Sequence, residues 1–295
     1  MRDIHYIWNK LIYVVNNMSR DMHCKGEWFE LVCASLKQDS LKINGEKLPG
    51  FPDDSIQIST TGQAGKETLC EAYIFYDDCI KVFGSSENIT NSNRTLLDFG
   101  SGWGRILRFF IKDFPVNQVY GVDINSDFLD ICKSTFNYGN FIKSEAFPPL
   151  EIGDESIDFI VGYSVFSHLS EEACLSWIKE FSRILRPGGM VALTTRGRWF
   201  FDYCESLKSK DGYSGALGYM FDDFNEARAR YDRGELVHVN GSGISGNGPL
   251  NEEFYGETFI PEVYARHAYS HYLDFVEFKF SPGRQTHPIM FFRKP

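Results

Sequence analysis

Leu96-Leu97-Asp98-Phe99-Gly100-Ser101-Gly102-Trp103-Gly104-Arg105 is the stretch on which the fold turns. An apolar run enters a glycine-rich turn, and Ile106-Leu107-Arg108-Phe109-Phe110-Ile111-Lys112 reads as the helix that leaves it. Strand, turn and helix in that order expose backbone N–H groups at a helix start to a ligand. Glycines at 100, 102 and 104 permit positive φ and let a ligand lie close against the backbone. A nucleotide-like ligand is expected at this turn.

The dinucleotide fingerprint is G-x-G-x-x-G. Here the spacing is G-x-G-x-G, and Arg105 takes the place of the third glycine. Asp98 stands at the mouth of the turn, where a carboxylate repels a pyrophosphate and suits a cationic amino group. S-adenosylmethionine (SAM) carries an ammonium, a sulfonium and no phosphate, so charge favours it over NAD. Val119-Tyr120-Gly121-Val122-Asp123 reads as the next strand and ends in a second carboxylate. An acidic residue about 20 positions beyond the glycines hydrogen-bonds ribose hydroxyls in βαβ nucleotide folds. The other use of Asp123 is to cap the helix that begins near Ser126.

The pattern continues downstream. A helix over 126–136 is followed by a short strand, Asn140-Phe141-Ile142-Lys143, and then by Ser144-Glu145-Ala146. Ile157-Asp158-Phe159-Ile160-Val161-Gly162-Tyr163 reads as the fourth strand, with Val165-Phe166-Ser167-His168-Leu169 after it. Ser170 is a candidate N-cap for the next helix. That helix ends in Arg183-Ile184-Leu185-Arg186-Pro187-Gly188-Gly189, ahead of a fifth strand over 190–195. Over residues 94–197 the chain resembles the class I SAM-dependent methyltransferases, in particular bacterial members that modify sugars, natural products or other small molecules.

The resemblance implies an α/β fold with a Rossmann-like seven-stranded sheet, and SAM as cofactor. It places cofactor contacts at Asp98, Gly100, Ser101, Gly102, Gly104, Asp123 and Ile124. Ser144, Glu145 and Ala146 would meet the adenine edge, and Tyr163 and Ser164 would line the methyl site. Many such proteins have Cys where Ser101 stands and Thr where Ser167 stands; both exchanges keep a small side chain. A helix over 67–83 holds the position that in the family covers one side of the cofactor, so Tyr73 and Tyr76 either touch ligand or pack as ordinary helix tyrosines.

Around this core we expect a helical extension or cap over 1–93 and a cofactor-binding domain over 94–295. Ile4, Ile7, Trp8, Leu11, Ile12 and Val15 have helical spacing, for a helix that docks on the core, covers substrate or makes a homodimer. Gly84 suits the C-cap of the 67–83 helix. The last two strands fall at 273–280 and 288–293. Before them, residues 197–258 are far more than one connecting helix needs. Long structured excursions on such a scaffold form lids and binding loops. This insertion is read as the acceptor lid, an oligomer interface being the alternative; helices are expected at 200–210, 219–233 and 259–266, the last with Pro261 in its first turn.

Composition narrows the partners. A net charge of −10 opposes binding to a polyanion, so nucleic acid is not an expected partner. The Pro148-Pro149 pair lacks a leading Asp or Asn and precedes the fourth strand, which separates it from the D-P-P-Y motif of nucleic-acid amino methyltransferases. Charged residues interrupt every apolar run near the N-terminus, so no membrane span or signal peptide is expected there. The seven cysteines are odd in number and contain no C-x-x-C, which suits reduced thiols in a cytoplasmic protein.

Methyl transfer is an in-line displacement in which positioning does much of the work, and a hydroxyl acceptor gains from a base. His168 is the candidate base, with Tyr163 beside it as the second catalytic candidate. His168 alternatively caps a helix or packs under the lid. Arg105 and Arg196 either bind an anionic acceptor group or sit in salt bridges. His238 and His287 could reach the acceptor pocket. His267 and His271 share a helix face but lack a third ligand, so no metal is expected. The expected function is methylation of a small-molecule acceptor, most readily at an oxygen of a sugar or natural-product intermediate. An NAD-dependent oxidoreductase and a non-catalytic subunit of the same fold are the alternatives.

Overall fold

The computed structural model describes residues 24–86 and 93–295, except Ser242, Ser245 and Asn247. The N-terminal helix expected from Ile4 to Val15 lies outside the described residues. Short hairpin strands β1 (Lys42–Ile43) and β2 (Glu46–Lys47) precede the main sheet. The main sheet takes β3 (Leu96–Phe99), β4 (Val119–Asp123), β5 (Asn140–Lys143), β6 (Ile157–Gly162) and β7 (Leu185–Thr194) from the middle of the chain. A second hairpin, β8 (Val237–Val239) with β9 (Glu257–Phe259), lies in the insertion. The main sheet is completed by β10 (Asp274–Lys279) and β11 (Ile289–Arg293). Its seven strands run in the order β10-β11-β7-β6-β3-β4-β5. β3, β4 and β5 are parallel neighbours, β6 and β7 are parallel, and β11 lies antiparallel to both β7 and β10. This is the seven-stranded α/β sheet the sequence implied.

Packing divides the chain into two compact units, Met1–Lys143 with Ser281–Thr286, and Ser144–Phe280 with His287–Pro295. In the first unit β3 is buried along its whole length, as a strand covered on both faces must be. Helix α1 (Glu27–Ala34) buries Trp28, Phe29 and Val32, and the Trp28 indole N–H donates to Phe109 O at 3.0 Å. Helix α2 (Asp54–Thr61) is short, and α3 (Lys66–Ser86) is the long helix expected at 67–83. It runs through Gly84, so that glycine is not the expected C-cap. Tyr76 donates to Asp113 at 2.5 Å and packs on Phe109 and Phe110, while Tyr73 packs against Phe29. Both are packing tyrosines.

Two further expectations are corrected here. The helix after the glycine turn, α4, is a single turn, Leu107–Phe110, rather than 106–112. Glycines at positive φ unwind the chain on one side of it, and Pro115, which has no N–H to donate, follows on the other. The cysteines are not all reduced: Cys24 and Cys70 form a disulfide with Cα atoms 5.5 Å apart, joining the chain just before α1 to α3. Cys33, Cys79, Cys132, Cys174 and Cys204 form no disulfide among the described residues. Helix α5 (Ser126–Thr135) is capped by Asn125, whose side chain accepts from Asp127 N at 2.9 Å.

In the second unit, helix α6 (Glu171–Ile184) starts as expected at Ser170, whose hydroxyl accepts from Ala173 N. Its apolar face buries Trp177, Ile178, Phe181 and Ile184. The insertion contributes α7 (Trp199–Leu207) and α8 (Phe224–Asp232), the latter capped by Asp223. Helix α9 (Glu262–Ala268) leads to the last two strands; it starts later than the expected 259 because Phe259 pairs with Val237 in β9. No described helix is long and apolar enough to cross a membrane.

Candidate active site

In the first unit, β3 delivers Asp98 and β4 delivers Asp123 to the glycine turn. Gly100, Gly102 and Gly104 all adopt positive φ, at 73°, 52° and 78°, which is why glycines stand there. The turn is pinned to β4 by Gly100 N and Ser101 N, which both donate to Val122 O at 2.8 and 2.9 Å. Gly121 is glycine for want of room: a Cβ there would lie 2.8 Å from the Phe141 ring and 3.1 Å from Ser101 Oγ.

The two carboxylates differ in what they do. Asp123 accepts from Gly102 N at 2.8 Å and from Asn125 N at 2.9 Å, so it braces the turn from below. Burial raises its pKa, and those backbone donors oppose the rise. Asp98 is 1% exposed, and among the described residues neither of its oxygens has a well-formed hydrogen bond. Burial, and then the neighbouring Asp123 charge, push its pKa up to about 7, against smaller opposing pulls from the Leu107 N–H and the Arg105 charge. A buried carboxylate so poorly paired is costly in isolation. A cationic ligand group would relieve it, so these residues fit the ammonium of SAM. Ser101 Oγ is likewise buried without a well-formed hydrogen bond.

Arg105 answers the question its position raised. Its guanidinium donates to Thr68 O at 3.0 Å and to Glu71 Oε2 at 3.1 Å on α3. The other Glu71 oxygen accepts from Thr286 Oγ1 at 2.6 Å. The arginine that replaces the third glycine is thus a buried brace, not an anion receptor. Arg108 is also buried, capping Pro49 O and Gly50 O and lying 4.0 Å over the Phe51 ring.

In the second unit, Ser144 is buried, Glu145 is exposed, and Ala146 offers its carbonyl to the Trp177 indole at 3.1 Å. At the end of β6, Tyr163 packs edge-on against His287, with ring centroids 5.5 Å apart. Ser164 holds a left-handed φ of 59°, uncommon for a residue with a Cβ. Its N–H donates to Thr194 Oγ1 at 2.7 Å. Backbone strain held in place by its surroundings clusters at functional sites.

His168 follows, and the insertion reaches back to hold it. Gly256 N donates to His168 O at 2.7 Å, Thr258 N to Ser167 O at 2.8 Å, and β9 pairs with β8. The His168 ring contacts Gly256 O through Nδ1 at 2.8 Å. A carbonyl only accepts, so Nδ1 carries the proton and Nε2 presents its lone pair. Glu257 lies behind, 3.5 Å from Nδ1, and is itself gripped by Arg196 at 2.6 and 3.2 Å. Tyr255 stacks on the imidazole at 4.8 Å. Burial lowers the His168 pKa, outweighing the pull of Glu257 upward, so the ring is neutral at neutral pH. Arg196 is committed to Glu257 within the core and does not present an unpaired charge to an acceptor.

Sequence reasoning singled out His168 but missed Gly256, Glu257, Thr258 and Tyr255 as its supports. Gly256 stands 88 positions from His168, and no local pattern marks the pairing. The predicted residues fall into two groups: Asp98, Gly100, Ser101, Gly102, Gly104, Asp123 and Ile124 in the first unit, and Ser144, Glu145, Ala146, Tyr163, Ser164 and His168 in the second.

Residues 96–189 match the family described as a methyltransferase domain. An uncharacterized methyltransferase of Oceanobacillus iheyensis is 32% identical over 145 residues, covering 47% of this chain and 59% of its own length. The chain thus spans under two thirds of that relative. Among solved structures, a SAM-dependent methyltransferase of Clostridium acetobutylicum superposes with a TM-score of 0.51 at 11% identity, covering 81% of this chain and 96% of its own. The magnesium protoporphyrin IX methyltransferase of Synechocystis, solved with S-adenosylhomocysteine, gives 0.50 at 13% identity, covering 81% and 92%. At these identities the likeness is one of fold.

Proposed function

We propose, for a chain whose residues 96–189 match a methyltransferase domain, that it is a class I SAM-dependent enzyme that transfers the methyl group of SAM to an oxygen of a small-molecule acceptor, a sugar or natural-product intermediate. The observation that carries the oxygen assignment is His168, held by Gly256 O as its Nδ1–H tautomer with Nε2 left as a base. Asp98 takes the ammonium of the cofactor. Gly100, Ser101, Gly102 and Gly104 give its amino-acid end a close approach to the backbone, and Asp123 has lone pairs left for a ribose hydroxyl. Ile124 flanks the ribose, Ser144, Glu145 and Ala146 meet the adenine edge, and Tyr163 and Ser164 sit beside the methyl group.

The bound cofactor supplies an electrophilic methyl carbon on a sulfonium. Bound there, it would give that carbon to the acceptor oxygen and leave as S-adenosylhomocysteine (SAH), while His168 Nε2 would take the hydroxyl proton. Glu257 steadies the imidazolium that forms, as a buried carboxylate does for a protonated imidazole. His168, with its lowered pKa, is already unprotonated at neutral pH. The insertion over 197–258 carries Glu257 and the β8–β9 hairpin and is assigned to the acceptor side.

The test uses the purified chain with methyl-labelled SAM and a deproteinised metabolite extract. Label in a small-molecule ether, with saturable SAH binding and none of NAD, is the expected result. NAD binding without SAH binding rejects the reading, and SAH binding with label only in protein or nucleic acid rejects the acceptor class.

A further inference from the structure

Beside His168 stands a second imidazole whose hydrogen bonding is equally determined. His238, on β8, contacts Thr258 Oγ1 through Nδ1 at 2.8 Å. The Thr258 hydroxyl has one proton, and it goes to Leu169 O at 2.7 Å. Thr258 therefore accepts, His238 Nδ1 donates, and His238 Nε2 is left with a lone pair. That Nε2 is buried and, among the described residues, has no donor. Burial lowers the His238 pKa against the upward pull of Glu257, and His168 adds a smaller lowering, so the ring is neutral and Nε2 works only as an acceptor. Both rings lean on one residue: His168 bonds Gly256 O, and a Cβ on Gly256 would come within 2.9 Å of His238 Cε1.

The neighbourhood carries more such atoms. On α7, which follows shortly after Arg196, Trp199 Nε1 and Tyr203 Oη are also buried without partners among the described residues, and their rings lie 6.1 Å apart. Arg196 stacks 4.3 Å over Phe200 on the same helix and acts electrostatically on Tyr203. These polar atoms all belong to the insertion. Native proteins leave few buried polar groups unpaired, and a group of them implies a ligand that pairs them. The charge here is balanced, since Arg196 is matched by Glu257. With Arg196 spent on Glu257, these residues leave no uncommitted cation to meet an anionic acceptor, and the unpaired imidazole nitrogens can only accept.

We propose that His238 is a second acceptor-reading residue, and that the acceptor is an uncharged molecule with two neighbouring hydrogen-bond donors, such as a vicinal diol. One hydroxyl gives its proton to His168 and is methylated; the other is held by His238 Nε2 and is not. This rests on the methyl-transfer reading above. His238 sets which hydroxyl faces the methyl group and does not itself take part in the displacement.

Two measurements test it. The first is 15N NMR of the histidine-labelled full chain at pH 7.5. The expected spectrum has His238 as the Nδ1–H tautomer, assigned by its loss in His238→Phe. An Nε2–H tautomer overturns the proposal whatever the enzyme methylates. The second takes the acceptor found by labelled-SAM profiling, together with its analogue lacking the neighbouring hydroxyl. We expect the parent to be uncharged with two adjacent donors. In His238→Phe its KM should rise about 30-fold or more with a much smaller change in kcat, as loss of a buried donor–acceptor pair requires. Wild type should discriminate against the analogue, and His238→Phe should not. An anionic or single-donor acceptor, or discrimination that survives in His238→Phe, overturns the proposal. SAH binding of the variant, expected within about threefold of wild type, shows that it is folded. An absence of any methylated small molecule defeats the methyl-transfer reading on which the second measurement rests, while the tautomer still tests the His238 assignment independently.

Discussion

Replacing Asp98 with asparagine should make the cofactor-free protein more stable at pH 8 while destroying cofactor binding. Folding moves the Asp98 pKa from 3.8 to about 7. A carboxyl that is harder to ionise when folded binds its proton more tightly in the native state. Its contribution is therefore favourable at about pH 4 and below, is lost as pH rises from about 4 to 7, and stays unfavourable above that. At about 1.4 kcal/mol per unit, holding the ionised form costs about 4 kcal/mol at pH 8. Asparagine has nearly the same shape and no charge, but it brings a buried amide that still lacks partners, a cost of about 1–3 kcal/mol. The net gain at pH 8 is then about 1–3 kcal/mol, or roughly 2–10 °C in Tm for a chain of this size. At about pH 4, where Asp98 is already protonated, the gain should vanish or reverse. Thermal unfolding of both proteins at about pH 4, 6 and 8, with and without SAH, measures all of this. Wild type should gain stability from SAH at about pH 8, and the variant should gain none, with affinity reduced about 100-fold or more. A variant that is equally destabilised at every pH, or that keeps wild-type affinity for SAH, refutes the reasoning.

Three further outcomes follow from the same geometry. His168→Gln should lower kcat by about 100-fold or more with SAH affinity unchanged, as removal of a general base does; wild-type kcat at saturating SAM should fall with acid only below pH 6.5, because burial lowers the His168 pKa. Glu71→Gln removes the ion pair to Arg105 but keeps an acceptor for Thr286; unfolding free energy should drop by about 1–3 kcal/mol and the SAH dissociation constant should rise, as isothermal titration can measure. Reducing the Cys24–Cys70 disulfide, which spans 46 positions, should lower stability by up to about 4 kcal/mol on the chain-entropy account; mass spectrometry after alkylation without reductant should leave these two cysteines unlabelled, and labelling of both would overturn the pairing.

The supports of the site were unreadable in the sequence for a definite reason. The tautomer of His168 is set by Gly256 O, and its carboxylate by Glu257, both brought to it by the β8–β9 hairpin. The register of that hairpin against residues 167–169 comes from hydrogen bonds between residues 88 to 91 positions apart. Such closures leave no periodic trace. Arg105 and Arg196 illustrate the same limit. Each read equally well as an anion receptor or a salt-bridge partner, and only the positions of Glu71 and Glu257 decided between them. The pairing of Cys24 with Cys70 among seven cysteines is likewise a fact of proximity.

Other features were local and therefore legible. Residues 96–99 are buried on both faces because every side chain there but one is apolar. The turn that follows takes glycine because its φ values are positive, and Ser170 opens α6 because its hydroxyl satisfies a free N–H. From such short-range rules the sequence by itself determined the seven strands of the main sheet, the helices over 66–86, 126–135 and 171–184, the glycine turn and the two carboxylates beside it. Tertiary structure alone decided that Asp98 is left without a well-formed hydrogen bond while Asp123 is taken up by the backbone. It also decided which charges cancel and which imidazole nitrogens keep a lone pair, because burial and long-range hydrogen bonding depend on segments that meet only when the chain is folded.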